Sequence, residues 1–168
     1  MNAAVLTISD SRSKGITEDR SGPAADSALA NLGLTVIERV IVPDEAELIR
    51  SAVLERIGRV ALIVTTGGTG ISERDVTPDI VEPLFEKRLP GFGEIMRTGT
   101  YGKTPLAIIS RGGAGIIGRT LVVMLPGSPK GVLDCLALLG PAICHVLKVL
   151  NRLVVDCQLE QGSNRQHE

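Results

Sequence analysis

The sequence predicts a three-layer α/β/α sandwich with a mostly parallel, mixed central sheet, and three observations carry that expectation. Val- and Ile-rich runs alternate with stretches of helical periodicity. Residues 60–64 are continuously apolar, as a parallel strand covered on both faces requires. Loops rich in Ser, Asp and Gly follow the strands, at the edge where such sheets bind ligands. The 168 residues are 43% hydrophobic, enough for one core and too few for two independent ones. A single domain over residues 1–157 is expected, with a frayed polar tail over 158–168.

Residues 3–8 form the first strand and open into the loop 9–22. Ser21-Gly22-Pro23 starts a helix with Pro in its first turn, and Asn31-Leu32-Gly33 supplies its glycine stop. Residues 34–42 make the second strand, closed by Pro43-Asp44. Asp44 or Glu45 then caps a helix whose Leu48, Ile49, Ala52, Val53 and Ile57 repeat at helical spacing as far as Gly58. The third strand, 60–64, leads through a glycine-rich stretch to a helix expected over 79–87. A short helix over 90–97, a strand over 106–110, a glycine-rich turn over 111–119 and a strand over 120–125 follow. The last two strands pair as a hairpin or by a wider connection, which makes the sheet mixed. Ser128 is the expected N-cap, with Pro129 at the first helical position. The apolar region 131–155 comes after it, and Gly140-Pro141 should kink or split that helix.

Composition excludes several functions. One Tyr, two Phe and no Trp cannot build a base-stacking platform or an aromatic cage. A net charge of −1 lacks the basic excess of a general nucleic-acid binder. No apolar run reaches the ~18 residues of a membrane span, and the N-terminus has no signal-peptide pattern. A cytoplasmic protein with small-molecule substrates, and without nucleic-acid or membrane partners, is expected. Cys135, Cys144 and Cys157 are widely spaced and without a nearby His pair, so neither zinc nor a disulfide framework is expected. Cys135 and Cys144 read as small core residues.

Gly113-Ala114-Gly115-Ile116-Ile117-Gly118 fits the dinucleotide fingerprint, but a β-like run follows it where a helix is required, and it reads as a structural turn. Thr66-Gly67-Gly68-Thr69-Gly70 differs, because its glycines let backbone amides approach an anion or a flat ring while its Thr hydroxyls add donors. It lacks the Lys of a Walker loop. Substituting Gly68 by Val is expected to block the ligand by bulk while leaving the fold intact. Asp75 lies five residues beyond Gly70, next to Arg74. A carboxylate beside phosphates suits Mg2+, and Asp44 at another strand end could supply a second oxygen. Taken alone, either Asp reads more often as a turn or helix-cap residue. The helix start at Ser128 offers free amides to a phosphate, reinforced by Lys130.

Taken together, these residues resemble the molybdopterin adenylyltransferase family, a molybdenum-cofactor biosynthesis domain marked by a hydroxyl-Gly-Gly-Thr-Gly-x4-Asp pattern. Residues 66–75 match that pattern in full. The resemblance continues, in order, through Ile8-Ser9-Asp10-Ser11-Arg12, Glu18-Asp19-Arg20-Ser21-Gly22-Pro23, Val42-Pro43-Asp44, Arg74-Asp75-Val76-Thr77-Pro78, Pro90-Gly91-Phe92, Ser110-Arg111, Ala114-Gly115 and Leu125-Pro126-Gly127-Ser128-Pro129. It implies Mg2+-dependent transfer of AMP from ATP to the terminal phosphate of molybdopterin, releasing pyrophosphate. It implies that Asp44 and Asp75 are the catalytic, metal-holding carboxylates, and that Thr66, Gly67, Gly68, Thr69 and Gly70 hold the nucleotide. Asp10, Ser11, Thr100, Ser110, Pro126, Gly127 and Ser128 would line the molybdopterin and phosphate region. Arg12, Arg74, Arg111 and Lys130 are chosen as phosphate contacts on chemical grounds. The resemblance further implies a homotrimer and transient contact with the molybdate-insertion enzyme. The alternative is a non-catalytic molybdopterin-binding paralogue or scaffold. His145, within the apolar C-terminal helix, and His167, in the tail, fit no catalytic triad.

Overall fold

The computed structural model describes residues 1–152. Cys157 and the expected tail, with His167, lie outside the described residues. Strand β1 (Asn2–Ile8) pairs in parallel with β2 (Thr35–Val42) and β3 (Leu62–Thr66), and β6 (Thr120–Leu125) runs parallel to β3. Strands β5 (Ala114–Ile117) and β4 (Lys87–Arg88) are added antiparallel, giving the order β2-β1-β3-β6-β5-β4. Ile41, Thr7, Thr66 and Leu125 are register partners across the four parallel strands. Their carboxyl ends therefore stand level at one edge.

Side chains alternate across the sheet with period two, so each strand feeds both cores. Ala3, Val5, Leu62, Val64, Leu121 and Val123 face α2 (Ser21–Asn31), α5 (Pro90–Tyr101) and α6 (Pro129–Leu150). Ala4, Leu6, Ile8, Ile63, Val122 and Met124 face α3 (Ala46–Leu54) and α4 (Thr77–Val81). These are the three layers that the sequence predicts, and the continuously apolar strand is buried throughout.

Several elements differ from expectation. A one-turn helix, α1 (Asp10–Ser13), forms inside the expected loop because Ser9 caps it, accepting from the Arg12 amide. β3 starts at Leu62 and runs to Thr66, while Val60 makes only a bridge to Ile57. Neither Asp44 nor Glu45 caps α3 with its side chain; the Asp44 carboxylate is engaged by Asp10 instead. The helix expected over 79–87 stops early. Pro83 has no N–H to continue it, so the chain tightens into a 3-10 turn (Glu82–Leu84), and Lys87–Arg88 becomes an edge strand. The expected strand over 106–110 is a 3-10 turn (Pro105–Ile109) with Leu106, Ile108 and Ile109 exposed. A short apolar run carries no period that separates the two possibilities.

The partner of β6 lies instead within the supposed glycine turn, as β5. Gly115 sits in that strand because the Phe85 ring covers it: a Cβ there would come 2.2 Å from Phe85 Cγ. Gly118, at φ +58°, and Arg119 form the two-residue hairpin turn. α6 also differs, running unbroken through Gly140-Pro141. An interior proline costs ~3 kcal/mol. Val132, Leu136, Leu139, Ile143 and Leu147 are buried along the helix, each contributing roughly 1.5–3 kcal/mol, so packing outweighs the break. α6 alone among the described residues is long and apolar enough to cross a membrane, which the sequence reading did not anticipate. Its buried stripe identifies it as the core helix of this sandwich. On it Cys135 is buried, while Cys144 and His145 are half-buried.

Asp19 joins β1 to the start of α2. Its carboxylate accepts from Thr7 Oγ1 (2.8 Å), Ser21 N and Oγ (both 3.0 Å) and Gly22 N (3.1 Å). Burial acts to raise its pKa, but these hydrogen bonds outweigh burial and hold it below the ordinary 3.8. A carboxylate depressed in the folded state stabilises fully above its unfolded pKa and loses that contribution as pH falls through its folded value. Asp19→Ala is expected to cost about 2–3 kcal/mol at pH 7 in urea unfolding. The deficit should shrink as the pH is lowered beneath the ordinary carboxylate value, and a pH-independent deficit would contradict this account.

Candidate active site

The glycine loop leaves β3 under close constraint. Gly67, at φ +103°, donates its N–H to Leu125 O (3.2 Å), and a Cβ on it would lie 2.3 Å from the Ile8 carbonyl oxygen. A side chain would therefore drive β1 and β3 apart at the edge where their loops must meet. Thr66 Oγ1 donates to Pro126 O (2.7 Å) and Thr77 Oγ1 to Gly67 O (3.0 Å). The Thr66 hydroxyl, read from sequence as a donor for ligand, is thus spent on tying β3 to the loop after β6.

Asp44 and Asp10 lock the first two strand ends together. Asp10 N donates to Asp44 Oδ2 (2.8 Å), and Asp44 N donates to Asp10 Oδ1 (3.1 Å). The Asp10 carboxylate also pairs with the exposed Arg74. Asp44 Oδ1 lies 3.4 Å from where a Cβ on Gly68 would stand, and Asp75 Oδ2 lies 2.8 Å from the equivalent point on Gly70. The two carboxylates therefore abut the glycine loop. Ser72 donates to Asp75 Oδ2 from its amide (3.0 Å) and its hydroxyl (2.6 Å).

These surroundings push the two acids in opposite directions. Burial, and then the negative charge of Asp75, raise the Asp44 pKa, and the Arg12 guanidinium only partly offsets them. For Asp75 burial acts upward, but the bonds from Ser72 and Gly70 and the charge of Arg111 leave it lowered. One carboxylate is firmly ionised; the other is destabilised as an anion and gains from a nearby cation.

Among the described residues no group of three or more His, Cys, Asp or Glu side chains could enclose a metal ion. That donor set fits Mg2+ all the same, because Mg2+ takes one or two carboxylates and fills its remaining positions with water and substrate phosphate. The mutual repulsion felt by Asp44 is what a divalent cation between the two acids would relieve.

Beside the loop lies a cavity of about 310 Å³ between α5, the 3-10 turn Pro105–Ile109 and the start of α6. Thr69, Gly70, Thr100, Ser110, Pro126, Ser128 and Lys130 line it, so many residues chosen from sequence converge there. Ser128 Oγ accepts from Gly131 N (3.1 Å), as its N-cap role requires, and Thr100 Oγ1 is bonded to Met96 O (2.6 Å) while still facing the cavity. Asp10, Ser11, Arg12, Asp44, Gly67, Gly68, Arg74, Asp75 and Gly127 stand outside its wall. Ser11 Oγ is 3.0 Å from Thr17 Oγ1 and 3.2 Å from Ser9 Oγ. A larger hollow of about 760 Å³ borders the same 110–112 segment but touches no residue of the glycine loop, whereas Thr69 and Gly70 line the smaller one; neither is lined by Asp44 or Asp75.

The cations sort by what already holds them. Arg12 Nη2 reaches Gly127 O (3.4 Å), and its Nε is buried without a hydrogen bond, 3.9 Å from Asp19 Oδ1. Lys130 is exposed at the rim. Arg111, by contrast, is fully engaged by Gly70, Asp75 and Asp79. Sequence reasoning missed Asp79, and also Arg97, which donates to Ser110 O (3.2 Å) and Gly112 O (3.3 Å). It likewise missed Asp134, which pairs with Lys103 (2.6 Å) at the cavity wall. None of these sits in a recognisable motif; for Asp79, the one available signal is its place four residues after Asp75.

Residues 4–145 match the family model described as a probable molybdopterin binding domain. The chain is 41% identical over 154 residues to a molybdopterin adenylyltransferase of Helicobacter pylori, covering 89% of this chain and 88% of that protein. It superposes on the molybdopterin biosynthesis enzyme MoaB of Thermus thermophilus with a TM-score of 0.84 at 37% identity, covering 90% and 96% of the two chains. The tungsten cofactor synthesizing protein MoaB of Pyrococcus furiosus gives a TM-score of 0.82 at 37% identity, over 89% and 96%.

Gly68 corrects one sequence expectation. At φ +63° a Cβ would lie 2.3 Å from Thr77 Oγ1, so bulk at this position strains the protein itself as well as excluding a ligand. Gly68→Ala is expected to lower stability by about 1–3 kcal/mol in urea unfolding. Stability equal to that of the unsubstituted protein would mean that the loop accommodates a side chain freely.

Proposed function

The chain belongs to the molybdopterin-binding domain family of molybdenum cofactor biosynthesis, and from that membership we propose that it is a molybdopterin adenylyltransferase. The supporting observation is the placement of Asp44 and Asp75 against the glycine loop, at the level edge of the parallel strands. In the proposed reaction an oxygen of the terminal phosphate of molybdopterin bonds to the α-phosphorus of ATP. The bond from that phosphorus to the bridging oxygen breaks, and pyrophosphate leaves with the electron pair. Such a displacement needs alignment and charge compensation more than a protein nucleophile.

Each residue has a part in this reading. The backbone of residues 67–70, bare at Gly67, Gly68 and Gly70, lets the triphosphate approach closely. Asp44 and Asp75 would hold Mg2+, which when bound neutralises phosphate charge. The start of α6, where Pro129 has no N–H and Ser128 Oγ takes the Gly131 amide, presents the Lys130 amide and the positive end of the helix dipole at the cavity, where the molybdopterin phosphate would sit. The terminal guanidinium nitrogens of Arg12, held only by a long bond to Gly127 O, would be the ones to meet phosphate. The same proposal includes a cytoplasmic homotrimer, for which exposed Tyr101, Leu106 and Ile108 offer apolar contact surface.

The test combines purified protein, ATP, Mg2+ and molybdopterin, following pyrophosphate release and the mass of the pterin product. Equimolar pyrophosphate and adenylylated pterin are expected. Binding without turnover would make the protein a non-catalytic binder, and free AMP without adduct would make it a hydrolase. Asp75→Asn should retain molybdopterin binding while turnover falls roughly 100-fold or more, a size typical of losing a transition-state charge contact. Undiminished turnover in that variant would overturn the role given to Asp75.

A further inference from the structure

Arg111 was chosen from sequence as a phosphate contact, yet the structure gives its guanidinium other work. Nε donates to Gly70 O (2.8 Å), Nη2 donates to Asp75 O, and Nη1 donates to both Asp79 carboxylate oxygens (2.7 and 2.8 Å). Its backbone N–H donates to Thr69 O (2.9 Å). All three guanidinium nitrogens are thus occupied. We infer that Arg111 and Asp79 are positioning residues, a clamp that fixes the carbonyls of Gly70 and Asp75 and so sets where the Asp75 carboxylate stands.

The planar fork of arginine makes this clamp possible. Its N–H groups point in fixed directions, so anchoring Nη1 to a carboxylate aims Nε and Nη2 as a unit. Gly70 and Asp75 are the two ends of the turn that carries the carboxylate, and the fork spans both. Within the turn, Ser72 grips the Asp75 side chain through its amide and hydroxyl. Backbone and side chain of Asp75 are therefore both held, by different partners. Asp79 belongs to the first turn of α4, whose Val81 is buried in the core, so the clamp is referenced to the body of the protein.

An exposed ion pair contributes little stability by itself. The Asp79 side chain is 56% exposed and that of Arg111 36%, so the pair does not explain its geometry as a device for stability. Its effect is on position, where an error of about 1 Å costs on the order of 100-fold in rate. Lysine keeps the charge of Arg111 but presents one nitrogen, and cannot hold two carbonyls and a carboxylate at once.

The inference rests on the adenylyl-transfer reading for its catalytic consequence, and its test includes a measurement independent of turnover. The full chain carrying Asp79→Asn, Asp79→Glu, Arg111→Lys, or Asp79→Asn with Arg111→Lys is compared with the unsubstituted protein. Three readouts are used: kcat and KM for both substrates, Mn2+ affinity with an α,β-methylene ATP analogue present, and thermal melting. Arg111→Lys is expected to lower kcat roughly 10- to 100-fold and to weaken Mn2+ binding, with the KM for molybdopterin unchanged. Asp79→Asn should move both in the same direction, Asp79→Glu should restore them, and the double variant should be no worse than Arg111→Lys alone. A raised KM for molybdopterin at unchanged kcat in Arg111→Lys would show that Arg111 binds substrate directly, and would overturn the inference. Independent, multiplying effects of the two positions would overturn it as well, as would Mn2+ affinity untouched by either. If Arg111→Lys fails to fold, the Asp79 pair decides by the same criteria. An inactive unsubstituted protein would remove the adenylyl-transfer reading, while Mn2+ affinity would still support or refute the clamp.

Discussion

The site depends first on an absence, the missing side chain of Gly67. Its α-carbon approaches the end of β1 so closely that a Cβ would lie 2.3 Å from Ile8 O, and it also faces Gly127, where a Cβ would come 3.2 Å from Gly67 Cα. Three strand ends can therefore converge with nothing but backbone between them. The parallel register brings Thr7, Thr66 and Leu125 to one level, and the glycines let the loops that follow fold over that edge. Asp10, Asp44 and Asp75 then inherit their positions from the sheet.

Electrostatics adds a division of labour to this geometry. Asp75 has its charge satisfied by Ser72 and supported by Arg111, whereas Asp44 carries the cost of burial and of facing a second anion. Two acids in identical surroundings would share that cost. Here one is held ionised and the other would gain from a nearby cation. Arg12 moderates the imbalance without removing it.

Much of this was legible in the sequence, for physical reasons. β3 and β6 are buried on both faces and so read as unbroken apolar runs, and Ser128-Pro129 carries the chemistry of a helix start. The glycine loop, Asp44 and the lining residues Ser110 and Ser128 were legible because short-range motifs specify them. What escaped were elements decided by tertiary contact. Residues 106–109 are apolar yet exposed, Gly115 marks the seat of Phe85 and not a turn, and Pro141 is carried by the packing of its helix. The engagement of Arg111 escaped for the same reason: its partners lie 32 to 41 residues away, and an arginine in a motif reads alike whether its donors are free or spent.

The scarcity of aromatic residues acquires a structural meaning at the cavity. Phe92 is buried in the core, Phe85 lies against Gly115 and Tyr101 is half exposed, and none of these three rings borders the 310 Å³ space. Its apolar wall is Met96, Leu106, Ile109 and Cys135, with thiol and thioether sulfurs among the lining. A flat heterocycle entering there would meet these apolar side chains together with Thr69, Gly70, Thr100, Ser110 and Ser128. Affinity for a flat ring there would rest on hydrogen bonds and on any anionic group it carries, because no aromatic side chain among the described residues borders the cavity. That arrangement favours a ligand rich in edge donors and acceptors and carrying an anion, and disfavours a plain aromatic of the same size.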